Sequence, residues 1–281
     1  MMVDKRILRM IYRKRELWCH KYHFGNLLVI GGSKLYSGSP AFNALAALRA
    51  GVDMVTILAP ARAANIISSF SPDLIAYPLE GDYLSKGHLK EILKFIKGKT
   101  ALVIGGGLCR EEEILDGVVE ILKKVKIPCV IDADAIHAVA HHREVIKKNF
   151  VLTPHAYEFY VLSKIKVEPI LDKRVQEVKE LAGIIGATIL LKGHYDVISD
   201  GERVAVNRTG SPYMTAGGMG DTLAGICGAL LARGVDPFEA ACAAAYINGK
   251  AGELAARKWG ESTIASDLLR EIPQAIKQAL G

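Results

Sequence analysis

The residues best placed to do chemistry lie in one run, Asn207 to Gly234. It is centred on Gly217-Gly218-Met219-Gly220-Asp221 and leads into an apolar, small-residue helical pattern without proline. Three glycines in four positions allow positive φ and let bare N–H groups approach a ligand. A helix opening at Gly220 adds unpaired N–H donors and the positive end of its dipole, worth roughly 0.3–2 kcal/mol to a bound anion. Asp221 sits oddly in such a seat, because a carboxylate repels what the seat attracts. It reads either as an ordinary first-turn helix residue or as a general base beside a phosphoryl group held by the glycines.

Other polar groups can be weighed against that run. Gly31-Gly32-Ser33 and Gly105-Gly106-Gly107 follow apolar strand patterns, yet neither G-x-G-x-x-G nor G-x-x-x-x-G-K-[ST] occurs, so dinucleotide-fingerprint and P-loop readings are excluded. Asp132 and Asp134 could organise a metal or simply hold a loop. His155 with Glu158 one helical turn on could donate to a substrate amide and order Mg²⁺ waters, or could be a helix cap with a solvated Glu. Lys192-Gly193 closes an apolar strand and could meet a nucleotide. His137, His141 and His142 read as one helix face at the surface.

These groups must be positioned by elements that alternate strand, turn and helix. Strand patterns fall at 26–30, 52–58, 101–104, 129–131, 150–152 and 188–191, with helical patterns at 39–51, 89–97, 111–124 and 172–185 between them. Asp200-Gly201 marks a hairpin between residues 197–199 and 203–206, and the chain from Gly220 onward reads as almost wholly helical. Such alternation predicts an α/β fold, a predominantly parallel central sheet with helices on both faces. Ligands of these folds sit beyond the carboxyl ends of the strands, where the groups above should converge.

Composition sets the outer bounds. The chain has 281 residues, half of them apolar, with a net charge of +6. Residues 1–24 hold seven Lys or Arg and two Asp or Glu, a net +5, with Ile7, Met10, Ile11, Leu17 and Trp18 at roughly helical spacing. This segment reads as a basic amphipathic helix docked on the domain or a neighbouring subunit, in preference to a nucleic-acid arm. Residues 25–281 read as a single α/β domain. No signal peptide or membrane span is evident, and five scattered cysteines without a C-x-x-C pair fit a reduced, cytoplasmic protein without a zinc site.

In order and spacing, these segments resemble the ATP- or ADP-dependent NAD(P)H-hydrate dehydratases, a branch of the ribokinase-like superfamily. The resemblance runs from about Lys21 to the C-terminus. Gly31-Gly32-Ser33 with Tyr36 and Gly38-Ser39-Pro40 resembles G-G-S-x-x-Y-x-G-A-P. Asp132-Ala-Asp-Ala-Ile136 resembles D-A-D-A-L, and Thr153-Pro-His-x-x-Glu158 resembles T-P-H-x-x-E. Leu191-Lys-Gly193, Thr209-Gly-Ser-Pro212 and Gly217–Asp221 are similar to L-K-G, T-G-N-P and G-G-[ST]-G-D, and Ala265-Ser266-Asp267 is similar too. Ser39 departs from the family's Ala, Gly106 from Pro, Cys109 from Gly, and Met219 from a hydroxyl residue.

The resemblance implies a ribokinase-like fold. It implies that Asp221 is the catalytic carboxylate, with Gly218 and Gly220 in the anion hole. Lys192, Gly193, His194, Tyr195, Asp196 and Gly220 would border the adenine nucleotide. Ser39, Gly107, His155 and Asp221 would touch hydrated NADH or NADPH, and Glu158 would act on Mg²⁺ through water. ADP or ATP would supply the phosphoryl group, and the protein would be a homo-oligomer, often a tetramer. The companion epimerase would be a separate chain, and no nucleic acid or membrane would be a partner. A superfamily kinase for a vitamin precursor or sugar alcohol is the alternative enzyme; a nucleotide-sensing scaffold with a dead site is the alternative outside catalysis.

Overall fold

Runs such as Leu27-Leu28-Val29-Ile30 place apolar side chains on both sides of a strand, so both faces of their sheet need cover. The computed structural model, which describes residues 1–281, supplies it. The chain runs α1 (Arg6–Ile11), β1 (Asn26–Ile30), α2 (Gly38–Arg49), β2 (Met54–Pro60), α3 (Ala61–Ser68) and β3 (Ile75–Leu79). It continues α4 (Leu89–Ile96), β4 (Ala101–Ile104), α5 (Glu112–Lys124), β5 (Cys129–Ile131), α6 (Asp134–Ala140), β6 (Phe150–Leu152) and α7 (Ala156–Ser163). Then come α8 (Leu171–Ile185), β7 (Thr188–Leu191), β8 (Asp196–Ser199), β9 (Val204–Asn207), α9 (Met219–Ala232), α10 (Pro237–Trp259) and α11 (Ala265–Leu280).

The nine strands form one sheet in the order β3-β2-β1-β4-β5-β6-β7-β8-β9. Pairing is parallel from β3 to β7 and antiparallel through β8 and β9. Val29 pairs with Val103, and Val103 with Val130, so residues of one parity share a face. These valines pack under the alanine-rich helices α2, α9, α10 and α11. Leu28, Ile30, Leu102, Ile104 and Ile131 line the opposite face, covered by α4 to α8. Each fully buried Leu or Ile contributes about 1.5–3 kcal/mol, so this two-sided core is what fixes the strand ends in space.

Residues 1–24 differ from the helix expected of them. The helix covers only Arg6–Ile11, buries Ile7 and Leu8, and ends at Tyr12, whose hydroxyl donates to the Ala50 carbonyl. Ahead of it Met2 bridges Val206 in parallel, extending the sheet at its β9 edge. Beyond it Arg15 leaves the helical path, lies 3.8 Å from the Phe24 ring centroid and faces Asp53. Leu17 and Trp18 lie outside the helix and are 99% and 92% exposed. Off the helix, Arg15 gains the Gly51 carbonyl and Asp53 as partners.

Candidate active site

Because β1, β4, β5, β6 and β7 run parallel, their carboxyl ends deliver Gly31, Gly105–Gly107, Asp132, Thr153–His155 and Lys192 to one end of the sheet. There the N-terminus of α9 meets them. Gly218 caps that helix with φ +93°, and a side chain on it would run into Ala265 and Phe42. The helix begins at Met219, one residue before the expected Gly220, which puts Asp221 in its first turn. A cleft of about 1040 Å³ opens above, lined among others by Tyr36, Ser39, Phe42, Gly107, Gly218 and Asp221.

Asp221 is held at two points. Ser39 Oγ donates to its Oδ1, and Asn43 Nδ2 donates 2.7 Å to its backbone carbonyl. Burial and the nearby Asp132 push its carboxyl up to about 6, with Asp134 adding to the rise. The Ser39 hydrogen bond and the Lys192 charge oppose them. A carboxylate so tuned is ionised at neutral pH yet basic enough to accept a proton.

Lys192 supplies the positive charge beneath. Its Nζ donates 3.0 Å to Asp132 Oδ1 and lies 3.8 Å from Glu158 Oε2. A Cβ built on Gly220 would come 3.3 Å from the same Nζ, so the ammonium sits against the first turn of α9. Burial works against that charge, but Asp132 and Glu158 outweigh it and hold Lys192 protonated above its usual range.

Asp132 and Asp134 diverge. Ala133 between them has φ +48°, a left-handed conformation that costs a residue with a Cβ of order 1–3 kcal/mol. Asp132 turns inward to Lys192 and to Thr153 Oγ1, which donates at 2.7 Å. Asp134 turns outward, accepting from Cys109 N–H at 3.0 Å and Arg110 Nε at 2.8 Å. Each carboxylate is thus matched by a cation, and the outer one holds the loop after β4.

His155 and Glu158 form a closed cap at the start of α7. His155 Nδ1 accepts from the backbone N–H groups of Tyr157 and Glu158, and Nε2 lies 3.2 Å from Glu158 Oε1. Glu158 Oε2 accepts from His155 N–H at 2.8 Å. Burial pushes Glu158 up to about 7, Lys192 opposing and Asp132 reinforcing. Burial and then Lys192 lower His155. Nδ1 is taken up by the cap, while Nε2 lies near Glu158 on a side chain that is half exposed. Glu158 is 3% exposed, not the solvated residue of the cap reading.

The turn after Lys192 lies outside the cleft. Asp196 accepts from Gly193 N–H at 3.1 Å and Asn207 Nδ2 at 2.9 Å, and burial pushes it up to about 6. The His194 and Tyr195 rings stand 4.4 Å apart, with Arg208 5.3 Å from the Tyr195 ring centroid. No three His, Cys, Asp or Glu side chains gather to hold a metal directly. Asn43 and Arg110 escaped the sequence reading, which had Thr153 as a motif residue but not its bond to Asp132. Only Asn43 carried a signal, a polar residue amid the apolar positions of a helix.

The mainly parallel sheet, with a glycine-capped helix N-terminus and Asp221 at the carboxyl ends of its strands, has a ribokinase-like α/β fold. The sequence profile described as NAD(P)H-hydrate dehydratase matches residues 27–274, and the chain belongs to that family. It is 46% identical over 256 residues to the bifunctional NAD(P)H-hydrate repair enzyme of Pyrobaculum aerophilum, covering 90% of this chain and 51% of that one. It is 38% identical over 282 residues to the ADP-dependent (S)-NAD(P)H-hydrate dehydratase of Cenarchaeum symbiosum, covering 98% and 96%. The Bacillus subtilis ADP/ATP-dependent dehydratase co-crystallised with ATP and Mg²⁺ superposes with a TM-score of 0.84 at 25% identity, covering 99% and 98%. The chain spans about half the length of the bifunctional relatives it matches.

Proposed function

We propose that this cleft restores hydrated NADH and NADPH, using ADP or ATP to turn a poor leaving group into a good one. The observation that carries the reading is Asp221: a half-buried carboxylate pushed up to about 6, in the first turn of α9, facing a cleft large enough for a nucleotide. The substrate carries a hydroxyl on its reduced ring. Asp221 takes the hydroxyl proton as that oxygen attacks the terminal phosphorus, and the bond to the shortened nucleotide breaks. The C–O bond of the new phosphate ester then breaks under push from the ring nitrogen lone pair. Loss of a proton from the neighbouring carbon completes the dihydropyridine.

The backbone donors of Gly218 to Gly220 face the moving phosphoryl group, and one such donor is typically worth about 3–4 kcal/mol. Lys192 adds a fixed positive charge at the same turn. Mg²⁺, held on the phosphates and reached by Glu158 through water, would neutralise charge on the nucleotide. His155, Ser39 and Gly107 would contact the substrate, and the turn from Lys192 to Asp196 would border the adenine nucleotide. A homo-oligomer, often a tetramer in this family, is the assembly we expect. The likeness to an ADP-dependent dehydratase of Cenarchaeum and an ADP/ATP-dependent one of Bacillus supports an adenine nucleotide as donor.

The test is incubation with hydrated NADH or NADPH and ADP or ATP in parallel, with and without Mg²⁺, following the return of reduced-ring absorbance. Return of absorbance with one nucleotide is the expected result. A stable phosphorylated product without it would make the protein a kinase instead.

A further inference from the structure

The cleft is larger than a nicotinamide ring needs, at the upper end of small-ligand pockets. Its lining is acidic: Asp221 at the floor, Asp134 and Glu111 at the side. Arg110 is the one cation among the lining residues. Its Nε is fixed on Asp134, which also takes the Cys109 N–H, so the loop presents the guanidinium in one orientation. Cys109 holds φ +79° to make that turn. The Nη amino groups have no hydrogen-bond partner, and the side chain is 53% exposed to the cleft and solvent. A half-exposed guanidinium anchored through Nε, with its Nη edge free, is suited to bidentate recognition of a phosphate.

From this we infer that Arg110 forms a subsite for the diphosphate bridge of the dinucleotide substrate, distinct from the phosphoryl-transfer seat at Gly218–Gly220. The inference rests on the proposed function for the identity of the substrate. A diphosphate bridge carries two negative charges and would otherwise face only carboxylates along this wall. Glu111, next in sequence and lining the same cleft, opposes the bridge and moderates its affinity.

The experiment measures turnover of hydrated NADH and of hydrated reduced nicotinamide riboside, which lacks the diphosphate, in wild type, Arg110→Ala, Arg110→Lys and Glu111→Gln. Binding of intact NADH is measured in parallel by fluorescence titration. Arg110→Ala is expected to raise KM for the dinucleotide about 10- to 100-fold with kcat within about twofold, and to leave the KM values for riboside and adenine nucleotide unchanged. Arg110→Lys should recover part of the loss. Glu111→Gln should lower the dinucleotide KM, a gain that a merely damaged loop would not produce. Equal dinucleotide KM in wild type and Arg110→Ala, or an equal loss with the riboside, overturns the subsite. Should wild type restore neither substrate, the functional proposal fails. The NADH titration then decides the subsite: weaker binding to Arg110→Ala upholds it, and unchanged binding removes it.

Discussion

Ser39, Gly106 and Asp221 meet at one point. Ser39 donates to Asp221 Oδ1, and a Cβ built on Gly106 would run into Ser39 Oγ and stand 3.1 Å from that same Oδ1. Serine at 39 and glycine at 106 therefore form a matched pair, replacing the alanine and proline of the family pattern together. A donor to the charged form favours it, so Ser39→Ala should raise the Asp221 pKa further. The acid limb of kcat/KM should move up by roughly half to one pH unit. A limb that stays put would detach Ser39 from the base. Gly106→Ala should depress turnover in the Ser39 background and be partly rescued by Ser39→Ala, a coupling that a double-mutant cycle reads directly. Asp221→Asn should bind ADP normally by calorimetry while turnover drops about 10²- to 10⁴-fold. Near-normal turnover would take Asp221 out of the mechanism. The sequence disclosed each member of this cluster singly: Asp221 as the acid, Ser39 and Gly106 as departures from the family pattern. It could not disclose that residues 39, 106 and 221 touch, because nothing local records a contact across 182 positions.

At the scale of elements, α9 is placed by what it lacks. A Cβ on Gly225 would strike the backbone of Asn43 in α2, and one on Gly228 would strike Val103 in β4. Gly225→Ala gains about 1 kcal/mol of helix propensity, but pressing against unyielding backbone costs roughly 1–3 kcal/mol. Net destabilisation is the expected sign. The displacement also reaches the site, since Asn43 holds the Asp221 carbonyl. Urea melts and turnover of the variant check both; a stabilised, fully active protein would contradict the packing argument. The long periodic elements, α2, α5, α8 and the parallel strands, were legible because two-sided burial writes continuous apolar runs. Short α3 and strand β3 were not, and α6 and α7 showed only as a histidine face and as the turn from His155 to Glu158. β3 carries Pro78 and is largely exposed at a sheet edge, so it lacks the alternation that marks a strand. The basic N-terminal pattern misled for the opposite reason: its period continued to Trp18 although nothing packs there.

Across the molecule, function is set against stability. Asp221 and Asp196 are pushed up to about 6 and Glu158 to about 7, each by burial above all. A carboxyl whose folded pKa is raised binds its proton more tightly folded than unfolded. Its cost is absent near pH 4 and grows as pH rises to about 7. Asp221→Asn should therefore be more stable than wild type by on the order of 1–3 kcal/mol at pH 7–8, the two converging near pH 4 in urea melts. A constant difference across that range would mean that burial does not tune this carboxylate. By itself the sequence determined the parallel α/β scaffold, the family, and which end of the sheet would carry chemistry. Hydrophobic period and glycine placement are local and survive in one dimension. Only the tertiary structure decided that Lys192 underlies the nest, that Asp132 and Asp134 part company at Ala133, and that His155 is closed upon Glu158. Desolvation and charge pairing depend on distances between strands, which one dimension does not contain.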